Sequence, residues 1–308
     1  MIILKHKSLS ASFFIMALVY LALIVLLPQD KSTVKHYHVS SGGLAALLII
    51  IIVPYLIIWL IALIGYLRFK DYTHAIRKSK DGRALQPIGS GILWLTLWLP
   101  LSAIAASITS GYYRAHPGAT ATMVILNNYF NILILLGAFI QIKVGSRKLL
   151  DVVKRTETAL PQLLTILFIA FSSLYLFLVL HDPARRVASH GAEVGAYYLP
   201  DWLIVTTIVI PRLVTWYLGM QAIYNIYIYS NGVKGPIYKQ ALANLVSGLS
   251  WLILTVVVLR CFESLSSQLS RLSLSWVVLV IYALLALISL GYVLIAKGAQ
   301  SLQRIEEI

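Results

Sequence analysis

Arg212 is the one ionisable residue that lies deep inside an apolar segment of this 308-residue sequence. It lies about ten residues after the start of segment 202–229, which is roughly 15 Å along a helix. A charge at that depth in a bilayer costs about 2.5–3.5 kcal/mol on insertion scales, and such residues are candidates for functional sites. The sequence leaves two interpretations open. Arg212 either binds a polar or anionic group, or is a structural arginine that reaches toward the outer surface or bonds internal carbonyls.

Three asparagines lie at a similar depth in the fourth apolar segment, 119–142. They are Asn127, Asn128 and Asn131. Asn127 and Asn131 are four positions apart, so they share one face of a helix. We expect this cluster to meet Arg212 at the interface between the two halves of the chain, where the four side chains would hold a small substrate.

Catalytic and cofactor chemistry is not expected. The sequence lacks the His-Glu-x-x-His, Gly-x-Ser-x-Gly and phosphate-loop motifs, and no pair of aspartates lies inside an apolar segment. Cys261 is the single cysteine, which excludes an internal disulfide. The histidines are absent from the interior of the apolar segments, so no haem is predicted. A metal site in the outer loops, with His36 or His190 as ligands, is the weaker interpretation of those residues.

The apolar segments themselves predict an all-α, polytopic membrane protein. Hydrophobic residues make up 59% of the chain and charged residues only 12%, which lies outside the range of soluble domains. The apolar runs reach the length of about 20 residues that a bilayer-spanning helix needs, and they do not alternate as barrel strands would. Eight spans are expected, at 9–27, 44–67, 88–110, 119–142, 160–180, 202–229, 240–261 and 274–296.

A repeat offset by 157 positions divides the chain into two four-helix units, 1–157 and 158–308. Fourteen of the 60 positions from 51 to 110 are identical to their counterparts. The matches include punctuating residues such as Pro54, Trp59 and Gly91, which recur as Pro211, Trp216 and Gly248. Four spans per unit return the chain to the same side, so the units are predicted to be tandem parallel repeats. In the last span of each unit the register is expected to slip to 154.

The basic residues predict the orientation. Seventeen of the 25 Lys and Arg fall in the segments on the side of both termini, so both termini are expected in the cytoplasm of a plasma membrane, or an inner membrane in a diderm cell. Segments 68–87 and 143–159 are expected to be solvated loops that face anionic lipid headgroups, with short surface helices at 68–86 and 143–158 as the weaker alternative. The net charge of +14 therefore predicts contact with anionic lipid and not binding of nucleic acid. A membrane-protein partner and a homo-oligomer are both left open.

Two functional classes fit these patterns equally well. Duplicated bundles with matched prolines in their helices are a recurring plan of carriers, with the substrate site between the halves. The scarcity of polar residues in the spans, and the expectation that no acidic residue is buried, fit a non-catalytic sensor or scaffold subunit instead. A cavity that contains Arg212 would favour the carrier, and a dry, solid centre would favour the scaffold.

Overall fold

The computed structural model describes residues 6–26, 41–115, 120–151, 162–181, 202, 205–233, 235–264 and 274–306. Within these ranges the regular structure is entirely helical, and each of the eight predicted segments is a helix. The α-helices are α1 (Lys7–Leu26), α2 (Ser41–Ala75), α3 (Lys80–Ala115), α4 (Thr120–Leu150), α5 (Gln162–His181), α6 (Ile210–Gly232), α7 (Pro236–Ser264) and α8 (Leu274–Glu306).

Five of these helices, in their described parts, are long and apolar enough to cross a membrane. They are α2, α3, α4, α7 and α8. The described side chains of α1 and α5 form shorter apolar stretches, Lys7–Ala22 and Thr165–Leu178. The coarse prediction of a helical membrane protein is thus confirmed by five candidate spans, while the count of eight stays a prediction.

The two basic segments are helical over most of 68–87 and over 143–150, and the prediction of solvated loops is wrong there. Helix α2 continues to Ala75, α3 begins at Lys80, and α4 continues to Leu150. The extensions persist because apolar side chains within the basic stretches are buried: Phe69, Leu85 and Leu149 are all fully covered. The basic residues therefore lie on the ends of packed helices. Residues 152–159, the rest of the second segment, lie outside the described residues.

A tight corner joins α2 to α3. The Ser79 hydroxyl donates to the carbonyl of Ile76 at 2.8 Å and accepts from the Gly82 amide at 2.9 Å. A side chain on Gly82 would collide with the Ile76 carbonyl. Asp81, next to this glycine, has a buried Oδ1 with no hydrogen-bond partner among the described residues. As a residue, Asp81 is half-buried in the first turn of α3.

The helices pack with the same neighbours in each half of the chain. Helix α3 contacts α4, α2 and α1, and α7 contacts α8, α6 and α5. Between the halves, α2 packs on α8 and α4 packs on α6. One large apolar cluster of buried side chains runs through both halves. The α4–α6 contact is the one that positions the polar residues described below.

Glycines set the closest helix approaches. A Cβ on Gly91 of α3 would lie 2.6 Å from the carbonyl oxygen of Ala138, and one on Gly248 of α7 would lie 2.6 Å from that of Gly291. Small residues at such crossings let the two backbones come into direct contact. Gly137, in contrast, faces open space, because a Cβ added there would have no described atom within 4 Å.

The two repeated prolines have different surroundings. Pro54 lies inside the continuous helix α2, as expected. Pro211 instead lies in the first turn of α6, directly after a π-helical turn at Val205–Val209. A proline removes one backbone donor, and a wider π turn is a common way for a helix to adjust its hydrogen bonds locally. This turn precedes the residue of greatest chemical interest, Arg212.

Candidate binding site at Arg212

Arg212 is buried, with 8% of its surface exposed, and its guanidinium reaches two other helices. Nη1 donates to the Tyr175 hydroxyl of α5 at 2.7 Å, and Nη2 donates to Oδ1 of Asn128 in α4. The ring of Tyr175 packs edge-on against Trp216, with 5.4 Å between the ring centroids. These neutral hydrogen-bond acceptors hold a cation in an otherwise apolar interior, where an unsolvated charge would be costly.

The three asparagines take separate roles. Asn128 accepts a hydrogen bond from Arg212, and this contact joins α4 to α6. Asn131 donates its amide to Asn127, at 2.8 Å to the backbone oxygen and 3.4 Å to Oδ1. Its own Oδ1 accepts from Nε1 of Trp98 at 2.9 Å. Asn128 and Asn131 are buried, and Asn127 is half-buried. The structure therefore brings Arg212 into direct contact with one of the three asparagines.

A small cavity lies beside Arg212. Its volume is about 10 Å³, which is the space that one water-sized group occupies. Four polar and four apolar side chains line it: Asn131, Thr215, Arg212, Arg260, Ile132, Leu135, Trp216 and Val256. The lining thus includes two arginines, one asparagine and one threonine beside four apolar side chains.

Reasoning from the sequence misses three residues of this site. By sequence, Arg260 falls at the outer edge of the predicted span 240–261 and is counted with the basic residues of the outer connection, but in the structure it lies within α7 and is buried. Tyr175 is identifiable only as a repeat counterpart of Tyr20. Thr215 lies three positions after Arg212, and that helical spacing is a signal that would have placed it on the same face. No comparable signal in the sequence connects Tyr175 or Arg260 to this site.

The first-half residues that align with Arg212 and Trp216 at the offset of 157 are aromatic. They are Tyr55 and Trp59, whose ring centroids lie 6.2 and 5.8 Å from that of Tyr20 and 5.5 Å from each other. The Tyr55 hydroxyl donates to the backbone oxygen of Leu99 at 2.9 Å. This half therefore holds a tyrosine where the other half holds a buried cation.

The metal-capable residues of the outer loops, among them His36 and His190, lie outside the described residues. Among the described residues, no group of three potential metal ligands comes together. Cys261 is buried, and its thiol donates to the backbone oxygen of Phe171 at 3.4 Å between sulfur and oxygen. The geometry at Arg212 is therefore the best-defined polar site in the described part of the chain.

No protein-family model, no curated protein and no solved structure matches this chain.

Proposed function

We propose that this protein is a carrier or permease of the plasma membrane, with a site for a small polar or anionic solute at Arg212 between two four-helix repeats. The single observation that carries the proposal is the cavity that Arg212 lines at the contact between α4 and α6. A buried guanidinium beside unfilled space is a natural receptor for an anion, since its planar donors match carboxylate and similar groups. The site residues would be Arg212, Asn128, Asn131 and, through Asn131, Asn127.

The contacts between helices support the repeat. If the two halves are exchanged, each major contact becomes another contact of the same bundle, and α2–α8 becomes α6–α4. The glycines behave alike. A Cβ on Gly145 would meet the carbonyl oxygen of Ala84 at 2.6 Å, and one on Gly298 would meet that of Ala241 at 2.7 Å. Pairing Gly145 with Gly298 gives an offset of 153 between the last helices of the two units, one position less than the 154 expected. The change from the offset of 157 in the earlier helices then equals about one helical turn.

The orientation also belongs to this proposal. Both termini lie in the cytoplasm, eight helices cross the membrane, and the basic ends of α2, α3, α4 and α8 contact anionic headgroups.

The test of this orientation replaces Cys261 by Ala and introduces one cysteine at the exposed Arg304 or Arg83. Both cysteines should resist a membrane-impermeant thiol reagent in intact cells and react after lysis. A cysteine at Lys31, in the predicted outer loop, should react in both cases. Reaction of Arg304→Cys in intact cells would overturn the orientation.

A transport assay tests the carrier itself. The purified protein is reconstituted in liposomes and its uptake of labelled chloride, phosphate, acetate, L-lactate and L-alanine is measured. We expect uptake of at least one solute by the wild type and its loss in Arg212→Gln. Arg83→Gln removes the same charge from an exposed position and should keep the activity. Equal uptake by Arg212→Gln and the wild type, with normal folded yield, would refute the assignment of the site.

The alternative function is a non-catalytic sensor or scaffold subunit, and one observation favours it. The cavity has room for only one water-sized group, and Arg212 already donates to two protein acceptors. A structural arginine would have this geometry. Absence of uptake for every solute, in a reconstituted protein that is folded, would support the scaffold.

A further inference from the structure

Two hydrogen bonds join the halves of the chain near the carboxyl ends of α2, α4, α6 and α8. Arg68 of α2 donates through Nη1 to Oε1 of Gln300 in α8 at 3.0 Å. Asn225 of α6 donates through Nδ2 to Oγ of Ser146 in α4 at 3.2 Å. The α2–α8 and α4–α6 contacts are the two major contacts between the halves, so each of them carries one of these bonds.

The two bonds occupy corresponding positions of the proposed repeats. Asn225 corresponds to Arg68 at the offset of 157. Gln300 corresponds to Ser146 at the offset of 154, and it lies one position from that counterpart at 153. In both bonds the donor belongs to the second helix of a unit and the acceptor to the fourth, although all four residue types differ. The place and direction of the bond are the same in both halves while the side chains are not, which favours a role for the contact itself.

Both bonds can open without leaving a buried group unpaired. The Ser146 hydroxyl also donates to the backbone oxygen of Lys143 at 2.9 Å, and it keeps that partner. Arg68, Gln300 and Asn225 are only half-buried, so water can replace the partner that each of them loses. Interhelical hydrogen bonds in membrane proteins are also weak individually. The pair therefore has the properties of a contact that opens reversibly.

The polar contact nearer the opposite end of the bundle is different. There Arg212 of α6 donates to Asn128 of α4, and both residues are buried. Separating them would take one partner from a buried charge, which is more costly than opening a half-exposed bond. Tyr55, which aligns with Arg212, donates to Leu99 of its own half. The halves therefore separate more easily at the end that holds the paired bonds.

From these observations, and resting on the proposed carrier of two repeats, we propose that the Arg68–Gln300 and Asn225–Ser146 bonds form an inner latch. The inner latch closes the α2–α8 and α4–α6 contacts on the side that is cytoplasmic in the proposed orientation. The carrier opens to that side when both bonds break. Because tilting the halves apart separates both contacts at once, the two bonds restrain the same movement.

Alkylation of a single buried cysteine measures this opening in the purified full-length protein. The reagent is N-ethylmaleimide, Cys261 is replaced by Ala, and Ala222→Cys is the reporter between the halves. Ala222 is fully buried. It lies three positions from both Gly219 and Asn225, each of which contacts α4, so it belongs to the same face of α6. A buried thiol reacts when its surroundings open, so the rate of alkylation follows the population of the open form.

A second reporter separates opening of the latch from general loosening of the fold. Ala138→Cys is the matched position, because Ala138 is also fully buried but lies where α4 meets Gly91 of α3, within one half. Its rate of alkylation should not change when the inner latch is broken.

Removing the donors breaks the inner latch. Arg68→Met and Asn225→Leu should each raise the rate at the Ala222→Cys reporter about threefold, and the double variant should raise it about tenfold. Two control variants should leave both reporters unchanged. Arg83→Met removes a charge from an exposed position, and Asn244→Leu removes an amide from a half-buried position of α7. If the double variant gives no folded protein, the two single variants carry the test.

The outcomes separate the inner latch from the carrier on which it rests. Unchanged rates at Ala222→Cys in folded latch variants would overturn the latch, and equal acceleration at Ala138→Cys would overturn it as well. Uptake of a solute by the wild type together with either result would leave the carrier standing. Acceleration at Ala222→Cys alone supports the latch, and in a protein that takes up none of the solutes it would count against the carrier only.

Discussion

Replacing a single hydrogen by a methyl group gives one expectation at Gly91 and Gly248 and the opposite expectation at Gly137. At Gly91 and Gly248 the new carbon would lie 2.6 Å from a backbone oxygen of the neighbouring helix. Backbone atoms yield only if the whole helix moves, so α3 must separate from α4, and α7 from α8. At Gly137 no described atom lies within 4 Å, so the methyl group meets none of them.

The magnitudes follow from these contacts. Overpacking of this kind costs about 1–3 kcal/mol, so Gly91→Ala and Gly248→Ala should each lower the free energy of unfolding by that amount. Glycine in a helix interior is worse than alanine by about 0.5–1 kcal/mol, so Gly137→Ala should leave stability unchanged or raise it slightly. The gap between Gly91→Ala and the matched control is therefore about 1–4 kcal/mol.

The assay is denaturant unfolding in mixed micelles, followed by tryptophan fluorescence, for the three variants and the wild type. The double variant of Gly91 and Gly248 should show the sum of the two losses, because the crossings involve separate helix pairs. Equal effects of Gly91→Ala and Gly137→Ala would refute the packing argument. A loss at Gly91 without a similar loss at Gly248 would refute the equivalence of the two crossings and would count against the repeat.

Three further predictions concern single contacts. Asn128→Asp should place a carboxylate on Arg212 and raise the thermal unfolding midpoint, since a charge-assisted bond replaces a neutral one; a lower midpoint would contradict this. Gly82→Ala should cost about 1–3 kcal/mol or more in denaturant unfolding, because its methyl group meets the carbonyl of Ile76; wild-type stability would disprove the collision. Tyr292→Phe should cost only about 0.5–1.5 kcal/mol in the same assay, as it loses one buried hydrogen bond to a carbonyl of α3; a larger loss would indicate that the hydroxyl has a second partner.

The helix ends in the two basic segments show what local sequence patterns do not predict. Charge density in segments 68–87 and 143–159 favours loops, because a run of basic residues usually faces water. The helices continue nonetheless, since Phe69, Leu85 and Leu149 recur among the charges and are buried against neighbouring helices. Tertiary packing supplies most of the stability of such helical ends, and the sequence does not state what each apolar side chain will contact.

Pro211 shows a different limit. Its type and depth predict a local disturbance of the helix, and a disturbance is present. Its form, a π turn at Val205–Val209 that leads into α6, depends on how the surrounding helices accommodate the backbone. The inequivalence of Pro54 and Pro211 could not be derived from an alignment that makes them equivalent.

The sequence by itself determined the class of the protein and the candidate residue. Apolar runs of the length of a bilayer leave helices as the favoured structure, because a backbone in hydrocarbon must satisfy its own hydrogen bonds. Because Arg212 lies well inside one of these apolar runs, the sequence also identified it as a buried charge. Only the tertiary structure decided what Arg212 touches, since Tyr175 and Asn128 are 37 and 84 positions away in the chain. Contacts over such separations depend on which helices pack together and at what rotation, and an almost uniformly apolar helix surface carries little information about either.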